Sequence, residues 1–182
     1  MKKLALALAL TGSCVFATTV ATTPASALET YQAQMQASDA ASQARVDMLD
    51  AFGPKELRPG QYVWRDVPES AGAERVVISL SDRMAYVYRG NTLMAATTIS
   101  SGRDSKPTPS GIFSILGKTP MYHSKKYDNA PMPWAEFFEP HGIALHAGSV
   151  TAESHGCVHL PAAFAKKLYS VTDVGTPVLI GA

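Results

Sequence analysis

The sequence predicts a mainly β domain with one late helix and one long irregular segment. Three observations carry that expectation. From residue 62 onward, short apolar and β-branched runs recur between turn-forming clusters, the pattern of successive strands. Helical spacing appears once among them, at residues 161–170. Between residues 117 and 140 neither period holds, and Pro, Tyr and Met crowd the stretch. A loop of that length is uncommon in a compact domain unless it has a function.

The chain of 182 residues divides into three parts. Residues 1–27 read as a secretory signal peptide: Lys2 and Lys3 are followed by an uncharged, mostly apolar stretch from Leu4 to Val20, and Ala25-Ser26-Ala27 is a small-residue cleavage site. Gly12 and the threonines make the stretch a poor membrane span. Cys14, after Thr11-Gly12-Ser13, only weakly resembles a lipid-acylation site, because Thr11 stands where a large aliphatic residue is wanted. The expectation is export to the periplasm or cell envelope, without a lipid anchor.

Residues 28–58 form the second part, rich in Ala, Gln, Ser and Asp. Met35, Ala40, Val46 and Leu49 are too sparse for a wide apolar face, which predicts a soft helix or linker ending at Gly53-Pro54.

Residues 59–182 form the domain proper. Strands are expected at 62–64, 74–80 (ERVVISL), 85–89 and 93–100, the last three as an antiparallel meander turning at Arg89-Gly90-Asn91. A loop with Pro107 and Pro109 precedes a strand at 111–116. After the irregular segment, residues 142–146 (GIALH) form an apolar strand ending on a histidine. Pro161 opens the late helix, and residues 176–180 close the chain as a strand.

Hydrophobic residues make up 46% of the chain, enough for a core, and the formal net charge is +1. That balance excludes the basic patch of a nucleic-acid binder. Of the two cysteines, Cys14 lies in the signal segment, so the exported protein keeps Cys157 alone and forms no internal disulfide. A lone thiol in an oxidising compartment is a liability unless it has a use.

The neighbours of Cys157 suggest the use. Thiol catalysis needs a thiolate, a base and donors for an oxyanion. In Ser154-His155-Gly156-Cys157, a glycine before the thiol permits a sharp turn and close substrate approach. His146, eleven residues earlier at a strand end, is the expected base, with a carbonyl near Ala147 or Gly148 fixing its tautomer. His141 competes for that role. A metal site is the rival chemistry: His155, Cys157 and His159 alternate, and zinc takes such ligands.

The run Ser154 to Val158 with His146 upstream resembles the active-site motif of the L,D-transpeptidase (YkuD) family. Residues 78–81 (ISLS), 85–88 (AYVY), 107–111 (PTPSG) and 142–148 (GIALHAG) match further landmarks of that family in order, so the resemblance runs from about Arg75 to the C-terminus. It implies a β-sandwich or barrel catalytic domain with the cysteine in a cleft under a mobile loop. It implies Cys157 as nucleophile and His146 as base, with backbone donors at His155, Gly156 and Cys157 and a turn supported by Ser154. The segment 117–140, with Tyr122, Tyr127 and Trp134, would be the substrate-covering lid, and Gly148 and His159 would also face substrate. No metal or cofactor is implied.

The partners implied are peptidoglycan tetrapeptide stems, whose peptide bond after the L-centre of meso-diaminopimelate yields an acyl-enzyme with loss of D-Ala. The acceptor is a second stem, a wall-attached protein, a D-amino acid or, in a hydrolase, water. Carbapenems, strained mimics of the donor amide, would acylate the thiol. His159 departs from the Arg or Asn usual in the family at that position. A wall-binding module with a degenerate site is the reading that this departure favours.

Overall fold

The computed structural model describes residues 28–182. The signal-peptide reading and Cys14 lie outside the described residues.

The expected strands form two sheets. Strands β1 (Tyr62–Trp64), β2 (Glu74–Ser79), β3 (Met84–Arg89), β4 (Thr92–Thr98) and β5 (Gly111–Ser114) join the C-terminal strand in a six-stranded sheet. Strands β6 (Gly117–His123), β7 (Pro131–Phe137), β8 (Ala144–Ala147) and β9 (Val158–Leu160) form a four-stranded sheet in that order. Helix α1 (Tyr31–Phe52) precedes all strands, α2 (Ala162–Val171) follows β9, and β10 (Pro177–Gly181) returns between β2 and β5. The meander β2–β3–β4 is antiparallel, as its turn residues require.

Strand alternation sorts the side chains into layers. Val76 and Ile78 of β2 and Ala85 and Val87 of β3 face the main core, where they meet Leu145 and Ala147 of β8, Val158 and Leu160 of β9, and Phe164 and Leu168 of α2. Their neighbours Val77, Tyr86 and Tyr88 face the other way and pack under α1.

Of the two forms expected for residues 28–58, the helix is found, with α1 ending at Gly53. Two sequence expectations are corrected. The helix does not lack a packing face: α1 is a 22-residue helix seated on the larger sheet. Its buried stripe is alanine (Ala33, Ala37, Ala41, Ala44) with Met48, while Met35, Val46 and Leu49 face outward. Counting large apolar residues therefore missed a face made of small ones, which lets the helix approach the sheet closely. Tyr88 OH donates to Asp47 Oδ2 at 2.6 Å and pins the helix. Thr30 caps its N-terminus and Gly53, at φ 75°, ends it.

The segment 117–140 is not irregular either. It is the β6–β7 hairpin, with residues 124–130 as its tip. Trp134, opposite Pro120, adopts φ 57°, and the alternation of β7 changes phase there. Met132 as well as Ala135 faces the outer side of the sheet, whereas Trp134 turns to α2, beside Tyr169 (ring centroids 5.5 Å apart) and Lys166.

Under the end of α2 lies a buried polar cluster. Lys118 Nζ donates to Tyr169 O at 2.7 Å and to Thr172 O, satisfying carbonyls at the helix C-terminus where a cation is favoured. Glu136 accepts from Thr172 Oγ1 and lies 3.6 Å from Lys118, but its Oε2 is buried without a partner among the described residues. Burial raises the Glu136 carboxyl to about 7 against the pull of Thr172 and Lys118.

Two predictions follow from these packings. Because the folded carboxyl holds its proton more tightly than the unfolded one, its contribution is full below about pH 4.5 and is lost as pH rises through about 7. The span is worth on the order of 3 kcal/mol. Thermal melts of wild type and Glu136→Gln from pH 4.5 to 8 should diverge by that amount as the pH rises, with wild type losing more. Parallel curves would show that Glu136 is ordinary. Trp134→Ala should lower stability by about 2–4 kcal/mol in urea titrations, as loss of a packed aromatic does.

Candidate active site

The smaller sheet buries one face and leaves the other open to a cleft. On β8, Leu145 and Ala147 point to the core, so Ala144 and His146 point outward; on β9 and the residue before it, Val158 and Leu160 point inward, so Cys157 and His159 point outward. The strands are parallel, with Leu145 beside Val158 and His146 beside His159. That register puts His146, Cys157 and His159 together on the open face. They line a cleft of about 950 Å³ with the hairpin tip on one side and residues 147–155 on the other.

His146 is buried, and its Nδ1 lies 2.9 Å from Ala147 O. A carbonyl only accepts, so Nδ1 carries the proton and Nε2 keeps its lone pair. This is the tautomer-fixing carbonyl expected from the sequence. The rings of His146 and His159 meet edge to face, with centroids 4.8 Å apart. His159 Nδ1 donates in turn to Ser149 O at 2.9 Å. Gly148 lies close against that ring: a Cβ there would come within 2.7 Å of His159 Cγ.

The turn carrying the thiol is tied from within and from behind. Ser154 Oγ, buried, accepts the Gly156 N–H at 3.0 Å and donates to Cys157 O. Ser154 N–H donates to Ser101 O, and Thr108 Oγ1 donates to Gly156 O at 2.9 Å. Ser100 pairs with His159 through both backbone groups, so this seam also joins the two sheets.

A family model described as the L,D-transpeptidase catalytic domain, YkuD, matches residues 73–180. The chain belongs to this family. Similar solved structures include an L,D-transpeptidase from Mycobacterium smegmatis, with 22% identity over 60% of this chain and 58% of that one and a TM-score of 0.55. One from Stackebrandtia nassauensis has 22% identity over 84% of this chain and 74% of that one, with a TM-score of 0.57. L,D-transpeptidase 3 of Mycobacterium tuberculosis, solved with a faropenem-derived adduct, has 22% identity over 60% of each chain and a TM-score of 0.55. These likenesses show the fold, and the chain spans about 58% of the Mycobacterium smegmatis relative. No curated protein sequence matches the chain.

Within this L,D-transpeptidase domain the expected site residues separate. Cys157, His146, His155, Ser154, His159, Gly148, Tyr122 and Tyr127 line the cleft; Trp134 does not, because the phase change at its positive φ sends it to α2. Gly156 N–H is taken by Ser154 Oγ, which removes it as an oxyanion donor. His155 is not drawn in toward Cys157 and His159; its exposed ring stacks on Tyr127 at 4.3 Å. His141 lies on the rim, exposed, with Nε2 3.7 Å from Glu139, while His146 shares the strand pair with the thiol. Thr108, Gly102 and Ser100 were missed as site residues, although the 107–111 run was singled out as a landmark.

The electrostatics favour a neutral pair. Burial, then the neighbouring His159, lowers His146 to about 4, against the Ala147 hydrogen bond. Burial raises the Cys157 thiol, and a contact with the Ala144 backbone only partly offsets it. Both shifts favour the uncharged forms, thiol and neutral imidazole. Iodoacetamide alkylation of Cys157 should accordingly accelerate with pH through and beyond about 8.5, the ordinary thiol value. A rate plateau reached below pH 7 would reveal a stabilised thiolate and overturn this picture.

Proposed function

We propose that this protein is an exported L,D-transpeptidase that acylates itself on peptidoglycan tetrapeptide stems through Cys157. The observation that carries the reading is the β8–β9 register, which sets a buried neutral histidine with a free Nε2 on the same open face as a half-buried thiol, on the floor of a cleft. Cys157 Sγ attacks the donor carbonyl and its proton passes to His146 Nε2. The oxyanion is met by the Cys157 amide. Collapse breaks the peptide bond, and the departing D-Ala amine takes the proton from His146, leaving a thioester. An acceptor amine then repeats the sequence in reverse, giving its proton to His146 as the new amide forms and the thiol is restored.

The cleft supports a peptide-sized donor. Tyr122 and Met132 form an apolar wall, and Lys125 and Lys126 bring positive charge to one rim, suited to the carboxylates of a stem peptide. The Lys2–Lys3 and Ala25-Ser26-Ala27 pattern supports a location outside the cytoplasm. An intact thiol–imidazole pair argues against a degenerate binding module. With Nδ1 committed to Ser149 O, a neutral His159 offers no second N–H, so it would bind a substrate carboxylate only when protonated.

The test is muropeptide mass spectrometry. Residues 28–182 incubated with disaccharide-tetrapeptide should yield a dimer lacking one D-Ala, and Cys157→Ala should yield none while melting at a temperature near wild type. D-Ala loss without a dimer would move the assignment to a carboxypeptidase. Turnover by the Cys157→Ala protein would sink the mechanism.

A further inference from the structure

Gly102 and Thr108 pack against the turn that carries Cys157, outside the cleft lining. The contact is close: a Cβ on Gly102 would fall 2.9 Å from Gly156 Cα and 2.2 Å from Lys106 O. Thr108 is buried there, and both capacities of its hydroxyl are used. It accepts the Gly102 N–H at 2.9 Å and donates to the Gly156 carbonyl at 2.9 Å. Neither Thr108 nor Gly102 lines the cleft, whereas Cys157 does.

The peptide unit joining Gly156 to Cys157 is trans, so its C=O and N–H point in opposite directions. Holding the carbonyl toward Thr108 turns the Cys157 N–H toward the cleft side. That N–H has no acceptor among the described residues, and the neighbouring Gly156 N–H is already bound to Ser154 Oγ. The residue before Cys157 has φ 115°, a region open to glycine, so this peptide could rotate if nothing held it.

We propose that Thr108 is the positioning residue of the oxyanion hole: its hydroxyl fixes the Gly156 carbonyl on the rear side and thereby aims the Cys157 amide at the donor's carbonyl oxygen. The inference rests on the acyl-transfer reading above. Thr108 touches no reacting atom and acts only through the peptide that it holds. It is needed where negative charge develops on an oxygen, and not where the thiol displaces a leaving group from a saturated carbon, which forms no oxyanion.

Two reactions of the same thiol separate these cases. Acylation by imipenem requires the oxyanion donor; alkylation by iodoacetamide does not. Thr108→Val keeps the shape and removes the hydroxyl. It should slow imipenem acylation about ten- to hundredfold, less than the roughly hundred- to thousandfold cost of removing an oxyanion donor outright, while the alkylation rate at pH 8 stays near wild type. Thr108→Ser, which retains the donor, should restore acylation. Acylation by Thr108→Val at the wild-type rate, or an equal fall in both reactions, would overturn the role of Thr108. Wild-type protein that resists imipenem would overturn the acyl-transfer reading itself. Should the valine protein not fold, Thr108→Ala carries the same comparison without a second methyl facing the Gly102 amide.

Discussion

The parallel pairing of β8 with β9 is the constraint on which the site depends. It spans only three residue pairs, yet it decides which side chains share a face. With His146 beside His159, both histidines and the Cys157 thiol look into the cleft, and Leu145, Ala147, Val158 and Leu160 all enter the core. A slip of one residue would exchange the two sets, burying Cys157 and exposing leucine. Core packing therefore fixes the geometry of the cleft floor: the energy that holds these apolar side chains inside is the same energy that holds His146 and Cys157 on one face outside.

Burial of the pair follows from that arrangement and sets its chemistry. A histidine seated in a packed sheet loses water, which disfavours its charged form, and the thiol beside it is disfavoured as an anion for the same reason. In the proposed acyl transfer, a neutral pair needs charge stabilisation only when the donor is attacked. The donors must then be in place beforehand, since a buried site has no solvent to reorganise around the new charge. The dense hydrogen bonding behind residues 154–157 answers that need. Among the described residues it leaves the Cys157 N–H without a partner while the Gly156 N–H and C=O are bound.

Much of this was legible in the sequence because it rests on local rules. The meander, the late helix, the strand that carries His146 and the turn around Cys157 each carry their own period or turn residues. Three features were not legible, for distinct reasons. The contact face of α1 is made of alanine, so its periodicity carries little hydrophobic signal, although Ala33, Ala37, Ala41, Ala44 and Met48 do follow helical spacing. The β6–β7 hairpin contains Pro120, Pro131 and Pro133, which ordinarily argue against strands; it pairs around them, and Trp134 opposite Pro120 absorbs the irregularity with a positive φ. The seam between segment 100–108 and the catalytic turn joins residues about 50 positions apart, a separation that no local pattern encodes.

The same contrast separates the two walls of the cleft. The rear wall is built from buried backbone bonds and a buried hydroxyl, each expensive to leave unmade. At the front, the hairpin tip is held by the stack of Tyr127 on His155, by Lys106 reaching the Tyr127 hydroxyl at 3.1 Å, and by Lys126 donating to His141 O at 2.7 Å. All three contacts are at the surface, where a stacked ring pair or a cation near a ring contributes only about 0.5–1.5 kcal/mol. Opening the tip therefore costs a few kcal/mol at most, within reach of the binding energy of a peptide. On the proposed acyl transfer, loss of the Thr108 hydroxyl from the rear wall would turn the Cys157 amide away and leave the thiol in place. The contacts thus make the rear of the cleft stiff and the hairpin tip compliant, as the proposed acyl transfer to a peptide donor requires.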